Sequence, residues 1–258
     1  MSLSSEQIKS VEATIKESLR RKFQDYKPES KNMPFHYRLL GKDRMALYSF
    51  IHSLNTAFGT SIYEPVAEAL AATRFLKAQS QYVVGSKISE IADNEISRII
   101  ANLTIGNMPD KHEEIEKIRD VSQRGKMITL KPGKVDLFVQ NYEDSIFLFD
   151  LKTAKPNMEN FKSFKRKLLE WCAIIFAKNP GLDVHSLIAI PYNPYEPAPY
   201  ERWTLQGMLD LEKELKVADE FWDFLGGDGA YQDLLDCFES AGIALRPEID
   251  QYFANFKS

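Results

Sequence analysis

Two short runs near the middle of the chain carry the residue types from which hydrolytic chemistry can be built. Lys134-Val135-Asp136-Leu137-Phe138-Val139-Gln140 and Ser145-Ile146-Phe147-Leu148-Phe149-Asp150-Leu151-Lys152 are rich in β-branched and aromatic residues, and a turn from Asn141 to Ser145 separates them. Paired as a hairpin about that turn, Gln140 faces Ile146, Phe138 faces Leu148 and Asp136 faces Asp150. Directly opposite residues of an antiparallel pair project to one face with Cβ atoms about 4.5–5.5 Å apart. Lys152, two residues beyond Asp150, shares that face. Two carboxylates and one ammonium therefore converge. Adjacent carboxylates repel, and one of them stays protonated unless a cation joins them. A hard divalent ion with oxygen ligands, most simply Mg2+, resolves that conflict. Such an ion can polarise a phosphoryl oxygen and acidify a water, with Lys152 placed to orient or deprotonate that water. The plainer alternative is a structural hairpin whose aspartate pair is neutralised by Lys152.

The surroundings suit a polyanionic substrate. Residues Met158 to Lys178 follow helical spacing, with Phe161, Phe164, Leu168, Trp171 and Ile175 as one stripe and Lys162, Lys165, Arg166 and Lys167 opposite it. A basic helix face beside the acids matches a phosphate backbone, although it equally describes an ordinary solvated face. Lys155 and Asn157, just past the second run, are placed to reach phosphate or base edges. The stretch Pro191 to Trp203 holds Tyr192, Asn193, Tyr195 and Arg202 between four prolines. Asn and Arg make bidentate contacts with adenine and guanine, and prolines stiffen a reading loop; a rigid aromatic surface loop is the alternative.

The arrangement resembles the PD-(D/E)xK nuclease superfamily. Val135-Asp136 stands where that family writes Pro-Asp, and Asp150-Leu151-Lys152 stands for its (D/E)-x-K, with 13 residues between the two aspartates. The order strand, strand, helix, strand is also that of the superfamily core. More narrowly, three stretches resemble type II restriction endonucleases of the TdeIII type. They are Gly133 to Phe138 with Asp150-Leu151-Lys152-Thr153, then Pro191-Tyr192-Asn193-Pro194-Tyr195, and Glu220-Phe221-Trp222-Asp223-Phe224-Leu225-Gly226-Gly227.

The resemblance implies Asp136, Asp150 and Lys152 as catalytic residues, with Asp136, Asp150 and Leu151 at the metal. It also implies an acid on the preceding helix, for which Glu68 is the candidate and Glu64, available to cap that helix, the second. The implied activity is Mg2+-dependent double-strand cleavage of DNA at a short palindromic site, leaving 5′-phosphates. A homodimer and a cognate DNA methyltransferase in the same system go with it. A repair or structure-specific nuclease, and an inactive DNA-binding protein on the same fold, are the other readings.

The elements that must position these residues follow from pattern and composition. The chain has 258 residues, 44% hydrophobic and 27% charged, long enough to bury a core without staples. Its two cysteines, Cys172 and Cys237, lie far apart, which speaks against a disulfide framework or a cysteine-based zinc site. No signal-like or membrane-spanning run occurs, so a cytoplasmic protein away from membranes is expected. The net charge of −4 is uneven: residues 206–258 carry twelve acids and four bases, while the rest carries 25 acids and 29 bases. The mildly basic body permits nucleic-acid binding. His36, His52, His112 and His185 are scattered, with no HExxH or GxSxG motif.

Helices are predicted over Met1–Tyr26, Asp43–Ala57, Ile62–Leu76, Ile88–Leu103, Asp110–Ser122 and Met158–Lys178, then around Leu205–Phe224, Tyr231–Ala241 and Arg246–Phe256. Strands are predicted for the two runs and for Val184–Ile190, with Tyr82-Val83-Val84 a short further possibility before residue 130. The expected fold class is α/β (α+β): one restriction-endonuclease-like domain with a small mixed sheet, a central catalytic hairpin and many flanking helices. A helical part over 1–130, a catalytic core over 131–205 and an acidic helical part over 206–258 make up that domain.

Overall fold

A computed structural model describes residues 3–27, 33–152, 160–201 and 207–255. Among them run α1 (Ser5–Asp25), α2 (Pro34–Leu40), α3 (Lys42–Phe58), a π-helical turn (Gly59–Tyr63), α4 (Glu64–Ala71), β1 (Lys77–Ser89), α5 (Glu90–Thr104) and α6 (Lys111–Val121). There follow β2 (Met127–Gln140), β3 (Ile146–Leu151), α7 (Phe161–Lys178), β4 (Val184–Ile190), β5 (Leu215–Val217), α8 (Asp219–Gly226) and α9 (Ala230–Ala254). None of these helices is long and apolar enough to cross a membrane.

The five strands form one open mixed sheet in the order β1-β2-β3-β4-β5. β1, β2 and β3 are antiparallel neighbours, whereas β4 and β5 join in parallel. The parallel β3–β4 step needs a crossover, and α7 supplies it. One sheet face packs Phe138, Leu148 and Ile188 against α5, α6 and α7. The other packs Leu137, Phe149 and Leu187 against α1, α4, α8 and α9. Both faces of the central strands are buried, which explains their unbroken apolar composition.

The hairpin register is the expected one, with Gln140 opposite Ile146 and Phe138 opposite Leu148. Its turn is built by Asn141, whose Oδ1 accepts from the amides of Glu143 and Ser145, and by Asp144 at φ 64°. Asn and Asp suit such a turn because their short side chains satisfy nearby amides and tolerate left-handed backbone.

The sheet is larger than the pattern indicated. β1 has 13 residues where only three were expected to be extended, and β2 begins at Met127. β1 is an edge strand, polar for much of its length, and bulges on either side of Gly85 interrupt its pairing with β2. A bulge shifts the inside–outside alternation, which removes the period-2 signal. At the same place Gly133 lets α7 approach closely: a Cβ there would lie 2.9 Å from both Ile174 and Val84.

Of the region read as a helix around Leu205–Phe224, the described residues from 207 onward form turns followed by β5 and α8. The two helices expected at the C-terminus are one, α9, with Pro247 inside it. The Ile62–Leu76 helix is α-helical only over α4, and α2 (Pro34–Leu40) is a helix that the pattern did not indicate.

Candidate active site

Asp136 and Asp150 meet where the β2–β3 ladder ends. Beyond Leu137 and Phe149 the pairing continues through a side chain: Asp136 Oδ2 accepts the Leu151 amide at 2.8 Å. Asp150 is fully buried and lies between two ammonium groups, Lys152 Nζ at 2.7 Å from Oδ2 and Lys167 Nζ at 2.7 Å from Oδ1. Lys152 also stands over the Phe164 ring, 4.8 Å from its centroid, and Lys167 over Trp171 at 4.8 Å.

These contacts divide the two acids electrostatically. Burial alone would raise Asp150, but Lys152 and Lys167 outweigh it and hold the carboxyl below its ordinary range. Asp136 forms no ion pair with the described residues and, although Lys167 and the Leu151 amide act to lower it, is pushed up to about 7, first by burial and then by the Asp150 charge beside it. One of the pair is thus firmly ionised while the other takes a proton near neutrality.

A cleft of about 620 Å³ opens onto Asp136, Leu151 and Lys152. Its opposite wall is Glu64, the first residue of α4, together with Tyr63 and the π-helical turn before it. Glu64 is buried, accepts a hydrogen bond from Gln81 Nε2, and is raised by burial, with Asp150 adding to the shift. Pro191 and Tyr192 close the cleft on the β4 side, where Trp222 Nε1 donates to the Pro191 carbonyl at 2.7 Å. A second groove, lined by Lys131, Lys134 and Lys167, reaches Asp136 from the α7 side.

The sequence-derived residues therefore sort as follows. Asp136, Asp150 and Lys152 come together, and Leu151 offers its backbone at the same spot. Glu68 does not join them: its Oε2 accepts from the Ser80 amide at 2.7 Å and from the Ser80 hydroxyl, fastening α4 to β1. Glu64, one helical turn earlier, occupies the place expected for Glu68.

Lys165 is not on a DNA-facing surface. It is fully buried, 2.5 Å from Glu114 and 2.6 Å from Glu214, and Lys111 joins Glu214 at 2.7 Å. Burial would raise Glu214, yet the two ammoniums prevail and hold it down. Arg166 is engaged by Asp93, Glu170 and the Ser97 hydroxyl, which ties α7 to α5. Lys162 is exposed. Asn193 spends both ends of its amide inside its loop, donating to the Ala198 carbonyl and accepting from the Tyr195 amide. Tyr195 faces Tyr200 at 5.9 Å, and Tyr192 borders the cleft. Lys155, Asn157 and Arg202 lie outside the described residues.

Sequence reasoning missed the part played by Lys167 and placed Glu64 second to Glu68. For Lys167 a signal existed: Lys165 stands at the spacing of Phe161, Leu168 and Cys172, the inward face of α7, which turns Lys167 toward the hairpin end.

Comparison with known proteins gives this geometry a family. Residues 3–242 match the family described as "Type II restriction endonuclease, HinfI". The type II restriction enzyme HgiCII of Herpetosiphon aurantiacus is 27% identical over 221 residues, covering 84% of this chain and 80% of its own length. HgiEI from the same organism is 26% identical with the same coverage. The type II restriction enzyme MjaII of Methanocaldococcus jannaschii is 25% identical over 250 residues, 86% of this chain and 65% of its own. The type II expectation is met, and the family named is that of HinfI, where short stretches had suggested the TdeIII type. The match covers the cleft walls, the hairpin and the whole sheet, so this chain, a site-specific DNA nuclease, belongs to the HinfI family of type II restriction endonucleases.

Proposed function

We propose that the chain hydrolyses both strands of DNA at a short palindromic site in a Mg2+-dependent reaction that leaves 5′-phosphates, acting as a homodimer. The observation that supports this most is the hairpin end, where Asp136 and Lys152 line one cleft and Asp150, buried behind it, pairs with Lys152. Its chemistry is that of the PD-(D/E)xK superfamily.

The donor set fits a hard divalent ion. Asp136 and Asp150 supply carboxylate oxygens, and the Leu151 carbonyl can add a third. Among the described residues no cluster of three or more metal-binding side chains is already assembled, so waters and the DNA phosphate would complete the shell. The raised Asp136 is the sign that a cation belongs here, because a positive charge would relieve both its burial and its repulsion from Asp150. Bound Mg2+ would supply a Lewis acid for the phosphoryl oxygen and a more acidic water.

The chain's own groups do the rest. Asp150 fixes the Lys152 ammonium at the mouth of the cleft, where its Nζ can donate to the attacking water and to a non-bridging oxygen. Glu64, raised by its burial, can accept a proton from that water. Tyr192 and the Lys131–Lys134 groove provide walls along which a phosphodiester backbone can lie. A cognate methyltransferase would protect host copies of the site, and the cytoplasm is where such DNA is met.

Digestion of a supercoiled plasmid with and without Mg2+ tests this reading. Discrete linear products that require Mg2+ and vanish in Asp150→Asn support it. Metal-independent cleavage, or undiminished cleavage by that variant, removes it.

A further inference from the structure

We propose that α2 and the outer face of α3 form the interface through which two copies of this chain associate. The inference rests on the double-strand reading above and names the surface that reading requires. Seven of the seventeen exposed large apolar residues among those described fall between Met33 and Ile51. On α2 and its cap these are Met33, Phe35, Leu39 and Leu40, with Phe35 85% and Leu39 82% exposed and one helical turn apart. On α3 they are Leu47, Tyr48 and Ile51, again at steps of three and four.

The patch is displayed by a well-anchored scaffold. The opposite face of α3 buries Met45, Ala46 and Phe50. Phe50 sits among Phe23, Tyr252 and Phe253 with ring centroids 5.3–5.4 Å away, and the Tyr26 hydroxyl meets Ser49 Oγ at 2.7 Å. Helix α2 packs against α3, joined to it by Gly41. Nothing in this packing requires the outer residues to be apolar.

The exposed fractions of the seven add up to about four whole side chains. At roughly 200 Å² for each fully exposed side chain, that leaves about 800 Å² of apolar surface. A monomer's largest patch is typically ~300–600 Å², whereas one partner in a standard interface contributes ~800 Å². A second copy is the occupant this area fits. The outer stripe of α3 continues from Tyr48 and Ile51 to Asn55, which lines the cleft. A twofold partner seated on it would therefore border the active site. Each chain carries one Asp136–Asp150–Lys152 site, and a twofold pair of chains would present one such site to each of two antiparallel strands.

Sedimentation of the full chain, free and on Ca2+-loaded DNA, tests this. The wild type is expected at twice 29.6 kDa. Leu39→Glu and, separately, Ile51→Glu should raise the dimer dissociation constant on the order of a hundredfold, since each buries an unpaired carboxylate. Their far-UV circular dichroism should be unchanged, and plasmid should be nicked rather than linearised. Ile105→Glu, exposed on α5's end of the molecule, should keep the dimer mass. A wild-type monomer in both conditions, or glutamate variants that dimerise as tightly as wild type, overturns the proposal. A monomeric variant that still linearises plasmid removes the interface and keeps the nuclease. Dissociation by both variants without cleavage by any protein keeps the interface and removes the double-strand reading.

Discussion

Replacing Lys167 by methionine tests how the buried Asp150 is held. The substitution keeps an unbranched side chain of similar length and removes the ammonium, which lies 2.7 Å from Asp150 Oδ1 and 4.8 Å from the Trp171 ring centroid. Stripping one partner from a fully buried ion pair costs ~3–5 kcal/mol, and breaking an exposed one ~0–1 kcal/mol. The Asp150 carboxylate is fully buried, but the Lys167 side chain is 37% exposed and Lys152 remains on the other oxygen. The metal-free cost should therefore lie between these limits, at ~1–2 kcal/mol, or roughly 3–6 °C in melting temperature for a chain this size.

A divalent ion cancels that loss. Lys167 and the ion compete for the same carboxylate, so removing ~1.4 kcal/mol of competition should tighten Ca2+ binding about tenfold. Thermal melts with and without Ca2+, and calorimetric Ca2+ titration without DNA, read both effects. The expected result is a variant less stable than wild type without metal and level with it in saturating Ca2+. Unchanged or weaker Ca2+ affinity would refute the competition. An unchanged metal-free melt would show that the Lys167 contact contributes nothing.

Two further substitutions separate the site from the scaffold. Glu64→Gln should cut the cleavage rate ~10²-fold or more while leaving DNA binding in Ca2+ intact; Glu68→Gln should cost ~1–2 kcal/mol of stability through Ser80 with near-normal turnover, as melts and single-turnover cleavage would show. Lys165→Met should destabilise by ~3–5 kcal/mol, because Glu114 and Glu214 lose their shared cation, and should not act through DNA affinity. Because Glu214 is held below its ordinary value, its stabilisation is present above the unfolded carboxylate range near ~4.3 and lost as pH falls through the lowered folded value. Chemical denaturation below pH ~4.5 should therefore find the wild type losing its margin over Lys165→Met.

What the sequence displayed was the part of the fold written in short-range pattern. β3, β4 and the lower half of β2 are buried on both faces, so their apolar runs are continuous and their bounds legible to within a residue or two. β1 is an edge strand with bulges at Gly85, and polar residues on both sides hide it. α9 defeats the breaker rule: Gly242 and Pro247 divide the pattern, yet the inward residues Leu234, Cys237, Ala241 and Leu245 run past Gly242 at steps of three and four, and beyond Pro247 Tyr252 and Phe253 pack on Phe50. In each case tertiary packing outweighs local preference.

The site divides along the same line. Asp136, Asp150 and Lys152 were found because a hairpin register converts sequence distance into a shared face. The contacts that set their charge come from elsewhere in the chain, Lys167 from a helix and Glu64 from another 72 residues before Asp136. Between Glu64 and Glu68 the local pattern is symmetric, since both project from the same side of α4 one turn apart. Only the position of β1 decides: Ser80 takes Glu68 and Gln81 leaves Glu64 beside the cleft. The strand of which pattern reading saw only Tyr82 to Val84 is thus the one that decides which acid borders the cleft. Lys165 shows the converse, a lysine placed on a basic face by composition and drawn inside by Glu114 and Glu214, acids about 50 residues away on either side. A charge reads as solvent-facing in sequence until its counter-charges are located in space, and at this site those counter-charges separate the residues that hold the sheet from those that can meet DNA.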